Sequence, residues 1–222
     1  MTVEQTTGPS GLRERKKQLT RHALVRAALE LFTTRGYERT TVDEIAEAVE
    51  VSQRTFFRYF AGKEDAALAV QQVVAAHFTA TLRERPPAES PFEAMRNALL
   101  ISWETIGDTI EEIVPIELHM RSYLMIESTP ALLAVHLRRA LELEDEVTEI
   151  IAGREGLDAG TDPRPRVAVA AFGGVTRVAG RQWGLGGDWS VPALRRQLAD
   201  HLDQLGPALT REWRGGAGDA GR

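Results

Sequence analysis

Apolar residues recur along most of this chain at the three- and four-residue spacing of a helix face, and the runs are separated by glycine and proline. Leu24, Ala27, Ala28, Leu31 and Phe32 make the first stripe, and Gly36 stands where a helix C-terminal cap belongs. Thr41-Val42-Asp43-Glu44 has the capping-box pattern, in which a Thr hydroxyl and a Glu carboxylate each satisfy a free backbone amide. Val42, Ile45, Ala46 and Val49 then supply a short apolar stripe. Glu50-Val51 breaks the period, Ser52 can cap a third short helix, and Phe56 and Phe60 lie one turn apart on it. Ala61-Gly62 is a second break, after which a long helix is predicted from 63 to about 85, ending before Pro86-Pro87. Further helices are predicted over 91–106, 113–127, 130–152, 163–184 and 191–213. That makes about nine helices with no alternating strand pattern, internal repeat or sustained heptad, so the expected fold class is all-α.

Composition narrows this without changing it. A chain of 222 residues holds one large or two modest domains, and 43% apolar with 27% charged residues is ordinary globular usage. The absence of cysteine excludes disulfide frameworks, thiolate zinc sites, iron–sulfur clusters and a thiol nucleophile. No export signal opens the chain, and its most apolar stretch, 167–175, is too short to span a bilayer. A cytoplasmic protein with no membrane partner is expected.

Charge is uneven along the chain. Residues 1–63 hold 11 basic and 8 acidic side chains, a balance of +3, against 16 basic and 24 acidic, or −8, in the remainder. Arg13, Arg15, Lys16, Lys17 and Arg21 open the positive part. An N-terminal segment that meets a polyanion while the acidic remainder faces away fits this division, and so does a solvated, frayed terminus.

The segment 40–63, TTVDEIAEAVEVSQRTFFRYFAGK, carries the most information. A helix-turn-helix needs an apolar first helix, a tight turn, and a second helix whose early residues reach base edges in the major groove. Val42, Ile45, Ala46, Val49, Val51, Phe56 and Phe60 supply its small core. Gln53, Arg54, Thr55, Phe57, Arg58 and Tyr59 are left for the other faces. Gln pairs with adenine and Arg with guanine, Thr reaches a methyl or polar edge, and Tyr59 and Lys63 suit phosphates. A three-helix module that docks on protein has the same core pattern.

This segment resembles the DNA-binding domain of the TetR family of transcriptional regulators, most strongly from Arg15 to about Val70. The resemblance implies a flexible arm over 1–12, a helix-turn-helix domain over 13–63, a helical effector-binding and dimerisation domain over 64–213 and a disordered tail over 214–222. It implies that Thr41 contacts phosphate, that Gln53, Arg54 and Thr55 face bases, and that Arg58, Tyr59 and Lys63 complete the double-stranded DNA interface on a palindromic operator. Two residues depart from the family pattern. Glu50 stands where a small residue, usually Gly, occupies the turn, which demands either a less favoured backbone conformation or an adjusted turn geometry. Phe57 stands where the family usually has Tyr.

The resemblance also implies a ligand cavity among the later helices. Trp103, His119, Met120, Tyr123, Leu124, Phe172 and Thr176 are its candidate lining, and Arg177 a further polar candidate. Taken singly, each of these residues is better accounted for by core packing or surface exposure. RSYLMIESTPALLA followed by a long helix and then DPRPRVAVAAFGG is similar to regulators that sense acyl thioesters or other long apolar molecules. Val169, Gly173 and Gly180 on the penultimate helix and Leu194, Leu198 and Leu202 on the last are the candidate homodimer interface, packing as intramolecular stripes being the alternative.

The expected function is therefore a homodimeric DNA-binding regulator, a repressor released by a small apolar effector such as a long-chain acyl compound. A DNA-binding dimer with no effector is the alternative. An enzyme is not expected, because His22, His77, His119, His136 and His201 lack metal-ligand spacing, and neither a phosphate-cradling Gly-Lys-Ser/Thr loop nor a Gly-x-Ser-x-Gly elbow occurs. Neither a metal nor a cofactor is expected.

Overall fold

A computed structural model describes residues 9–188 and 190–210. They form eleven helices: α1 Pro9–Arg35, α2 Val42–Ala48, α3 Gln53–Phe57, α4 Lys63–Ala67, α5 Ala69–Arg83, α6 Pro91–Thr105, α7 Gly107–Ile113, α8 Ile116–Ser128, α9 Pro130–Glu155, α10 Arg164–Leu185 and α11 Val191–Thr210. No strand occurs among the described residues, and no helix there is long and apolar enough to cross a membrane. α1 begins at Pro9, inside the segment expected to be a flexible arm. Residues 1–8, the tail 214–222 and the end of the last expected helix lie outside the described residues.

Two helices exceed the nine expected. The long helix predicted over 63–85 breaks at Leu68, whose φ of −100° and ψ of 9° leave the helical region. Residues 66–70 are all buried. Successive helix positions advance by about 100°, so five buried residues in a row need partners on every side, which a surface helix cannot have. This stretch lies at the joint between the first three helices and the rest. The other addition is α7, where Ile106, Ile110, Ile113 and Val114 are buried at helical spacing behind Gly107.

The caps explain the boundaries. Gly36 takes φ 92° and donates to the Phe32 carbonyl at 3.0 Å, ending α1, and Gly156 takes φ 65° to end α9. Ser90 and Glu93 form a capping box that starts α6 with Pro91 in the first turn.

The largest core runs from Leu24, Phe32, Ile45 and Phe56 of the first helices through Ala66 and Leu68 to Ile110, Leu118, Ile126 and Leu132. The division expected between residues 63 and 64 is thus not a gap in packing. Two smaller cores lie beyond it, one around Phe78, Met95, Val147, Val169 and Phe172, the other around Met120, Ala179, Trp183, Leu194 and Leu198.

Candidate DNA-reading head and ligand cavity

The reading head is built on α2 and α3. Thr41 caps α2: its hydroxyl accepts from the Glu44 N–H at 3.2 Å, and the Glu44 carboxylate accepts from the Thr41 N–H at 2.8 Å. Those bonds hold the Glu44 carboxyl below its usual range, chiefly through the Thr41 backbone N–H. Ser52 caps α3, accepting from the Thr55 N–H at 3.2 Å. Ile45, Ala46, Phe56 and Phe60 are buried between the two helices, with Val42, Val49, Val51 and Tyr59 around them. The turn passes through Glu50 at φ 56°, the one described non-glycine residue in the left-handed region. The strain expected of Glu at that position is present.

This core leaves Gln53, Arg54, Phe57 and Arg58 exposed on α3 and its end, while Thr55 and Tyr59 are half-buried. Neither Gln53 nor Arg54 commits its side chain to an intramolecular partner among the described residues, so both are free to meet base edges. Arg58 lies against Tyr59, its guanidinium 5.1 Å from the ring centroid. The Phe57 ring, 51% exposed, meets Phe56 edge-on at 5.6 Å. Arg21 of α1 lies 5.3 Å from the Phe60 ring centroid, which brings the basic side of α1 beside α3. Arg13, Arg15, Lys16 and Lys17 are exposed on the same helix.

Lys63, expected at phosphate, makes intramolecular contacts in this structure. Its ammonium donates to the carbonyls of Tyr37 at 3.0 Å and Thr40 at 3.4 Å and sits 4.1 Å from the Tyr37 ring centroid. A lysine with two backbone acceptors and an aromatic face bolts the loop before α2 to α4. Tyr37 completes the bolt by donating its hydroxyl to the Glu64 carboxylate. Burial and that carboxylate push the phenol far above its usual range, so it remains a donor. No spacing rule marks Tyr37 in the sequence, because its partners come from another helix.

Behind α3 the joint continues through Asp65. Its carboxylate accepts from the Ala61 N–H at 2.9 Å and pairs with Arg139 of α9. Arg139 follows His136 and precedes Ala140, both of which line a cavity of about 270 Å³.

That cavity is bounded by α5, α6, α8, α9, α10 and α11 and open on one side, slightly below the roughly 300–1,000 Å³ of pockets that take drug-sized molecules. Six of the seven lining candidates, Trp103, His119, Met120, Tyr123, Phe172 and Thr176, meet at its wall, as does Arg177. Leu124 does not: it is half-buried outside the lining, next to Gly184. The reason is the helix period, since Tyr123 and Leu124 point about 100° apart on α8. Sequence reasoning missed Gln71, Phe78, His136, Leu143, Glu144 and Trp183, which also face the cavity. Their helices are amphipathic throughout, and nothing in the pattern distinguishes a wall residue from a core residue.

The wall is largely aromatic. Phe78 and Phe172 stack with centroids 6.2 Å apart at 8°, and Tyr123 meets both Trp183 and His136 edge-on at 6.4 Å. Burial lowers the His119 pKa to about 4, which keeps the imidazole neutral, and raises that of the Tyr123 hydroxyl to about 12, with the Glu127 carboxylate adding to it. Both ends of the Gln71 amide, His119 Nδ1 and Trp183 Nε1 are buried without a hydrogen-bond partner. Each such group costs about 1–3 kcal/mol if it stays unpaired. The charged wall groups, Glu144 and Arg177, pair with one another at 3.1 Å. Among the described residues no group of acidic or histidine side chains is arranged to hold a metal ion.

The expected dimer residues lie within the protomer. Val169, Leu194, Leu198 and Leu202 are buried inside the protomer, and Gly173 and Gly180 face the cavity. A Cβ at Gly173 would lie 2.6 Å from Glu144 Oε1, and one at Gly180 3.1 Å from Tyr123 Oη. These glycines therefore make room for cavity side chains of α8 and α9, not for a partner's helix. The surfaces of α10 and α11 turned outward instead hold a shallow groove lined by Gly174, Val175, Val178, His201 and Leu205.

Comparison with known proteins agrees with this architecture. Residues 24–70 match the family described as bacterial regulatory proteins, tetR family, and residues 89–210 match the MftR C-terminal domain. The chain is 45% identical over 213 residues to the HTH-type transcriptional regulator TcmR of Streptomyces glaucescens, covering 96% of this chain and 94% of that one. Among solved structures, a SmeT–triclosan complex is 17% identical with a TM-score of 0.59, over 86% of this chain and 91% of its own. A structure from Pseudomonas aeruginosa PAO1 is also 17% identical, with a TM-score of 0.56 over 91% and 95%. At such identities the likeness is one of fold.

Proposed function

Because the chain belongs to the TetR family of transcriptional regulators, a DNA-binding family, we propose that it acts as a homodimeric repressor whose cavity takes a small, largely apolar effector that releases it from a palindromic operator. Gln53, Arg54 and Thr55 read bases from the first turn of α3, while Thr41, Arg58 and Tyr59 contact the backbone. The exposed groove of Val175, Val178 and Leu205 meets its mate across the two-fold axis, which spaces the two heads for the two half-sites.

The observation that carries the reading is the link between cavity and reading head. α9 supplies His136 and Ala140 to the cavity wall, and Arg139 between them holds Asp65, whose carboxylate fixes the turn after α3. An occupant that shifts α9 moves the partner of Asp65. It acts as an effector only if it binds the released arrangement more tightly than the DNA-bound one.

Operator affinity measured with and without a panel of long-chain acyl compounds and hydrophobic drugs tests this. At least one class is expected to weaken binding. Arg139→Met should keep effector binding but reduce the release about tenfold or more, since the cavity survives while the link is cut. If no compound bound in the cavity alters operator affinity, the chain is a DNA-binding dimer with no effector.

A further inference from the structure

The first turns of α1 stand clear of the rest of the protein. Every residue from 11 to 19 is exposed; partial burial begins at Thr20 and becomes complete at Leu24. A short helical segment exposed on all sides gains nothing from packing and is marginal in water by itself. Its own charges add little: Glu14 pairs with Lys17 at 3.6 Å across largely exposed side chains, and Arg13, Arg15 and Lys16 form no ion pair among the described residues. The charges are also ordered. Arg13, Lys17 and Arg21 recur every fourth residue on one face, with Lys16 beside them, and Leu24 and Ala28 continue that face into the core. Phe56 and Phe60 of the reading head belong to the same core, and Arg21 lies over the Phe60 ring. The basic stripe therefore runs outward from beside the end of α3.

We infer that this projecting helix is a second DNA contact, in which Arg13, Lys16 and Lys17 bind phosphates of the duplex beyond the bases that α3 reads. The inference rests on α3 being the reading helix. The exposed segment 11–19 spans about 13 Å, the length of about four base pairs. Long cationic side chains with no acceptor inside the protein suit phosphate oxygens, which carry charge and no sequence information. The contact therefore strengthens binding to every flanking sequence alike and steepens its salt dependence, while base choice stays with α3. Position decides for DNA over an acidic protein or an anionic membrane, because the stripe is continuous with the helix that meets the duplex.

The probe is a duplex selected from a random pool by the full chain, prepared with about two or about ten base pairs of flank on each side. The wild type is expected to bind the long duplex about tenfold or more tightly than the short one. In the triple variant Arg13→Gln, Lys16→Gln and Lys17→Gln that advantage should be lost, since glutamine keeps the helix propensity and removes the charge. On the long duplex the slope of log affinity against log salt should become shallower by up to about five, for three phosphates released by each chain of a dimer. A repeat selection with the variant should return the same base preference. A wild type indifferent to flank length would overturn the inference and leave the stripe to an acidic protein or membrane, and this comparison needs no variant to fold. A folded variant that keeps the full flank advantage would overturn it too. So would a shifted base preference or an advantage confined to A·T-rich flanks, because either would put these side chains on base edges. A wild type that selects no duplex at all would remove the reading-head assignment, and this inference with it.

Discussion

At Lys63 a charge that sequence pattern assigns to DNA is used inside the protein, 3.0 Å from one carbonyl and 4.1 Å from a ring centroid. Arg54, one helix earlier, has no such partner. The two residues should therefore fail differently. Arg54→Ala should cost about 1–3 kcal/mol of operator affinity and relax base choice with unfolding unchanged. Lys63→Met should cost about 1–2 kcal/mol in urea unfolding, because two carbonyl contacts and a cation–π contact are lost. Operator titration and urea titration of both variants separate these outcomes; a Lys63→Met protein of unchanged stability would return that residue to the DNA surface. Glu50 makes a second case. Its φ of 56° costs an ordinary residue about 1–2 kcal/mol, and glycine gives back part of the gain as unfolded-state entropy. Glu50→Gly is expected to stabilise the protein by about 0.5–1 kcal/mol, readable as a higher thermal midpoint.

Among the elements, α10 and α11 show why a stripe of apolar residues does not by itself locate an interface. Both helices carry two apolar faces. Leu194, Leu198 and Leu202 are buried inside the protomer, whereas Val178 is 50% exposed. A charge on the outer face should therefore split a dimer, and a charge on the inner face should unfold the chain. Val178→Glu is expected to sediment as a folded monomer with weakened operator binding, since one chain cannot hold both half-sites. Leu198→Glu buries an unpaired carboxylate and should lose several kcal/mol of stability before any dimer is tested. Sedimentation together with circular dichroism distinguishes the two, and a Val178→Glu protein that remains dimeric would move the interface elsewhere.

For the whole molecule, the cavity couples ligand space to stability through His119. Its pKa of about 4 lies below the ordinary value of 6.5 because burial disfavours the imidazolium. The unfolded chain therefore binds a proton in a range where the folded chain does not. The resulting stability is complete above pH 6.5 and is lost as pH falls toward 4, by about 3 kcal/mol. Urea unfolding between pH 7.5 and 4 should show this loss, and His119→Phe should flatten it; equal slopes in the two proteins would place the pH sensitivity in other groups. The sequence by itself determined the all-α class, the caps of α2 and α3 and the small apolar core between those helices. Those features are local: a capping box, a four-residue apolar spacing and a short turn involve residues close in the chain. The family resemblance brought most of the candidate cavity residues into view, but helical spacing did not separate Tyr123, in the wall, from Leu124 beside it. Tertiary structure alone decided that Lys63 bolts a loop, that Gly173 and Gly180 clear space for Glu144 and Tyr123, and that Gln71 and Trp183 hold unpaired polar atoms in a cavity wall. Each of these depends on which other helix faces the residue, and an amphipathic period records that a face is buried without recording against what.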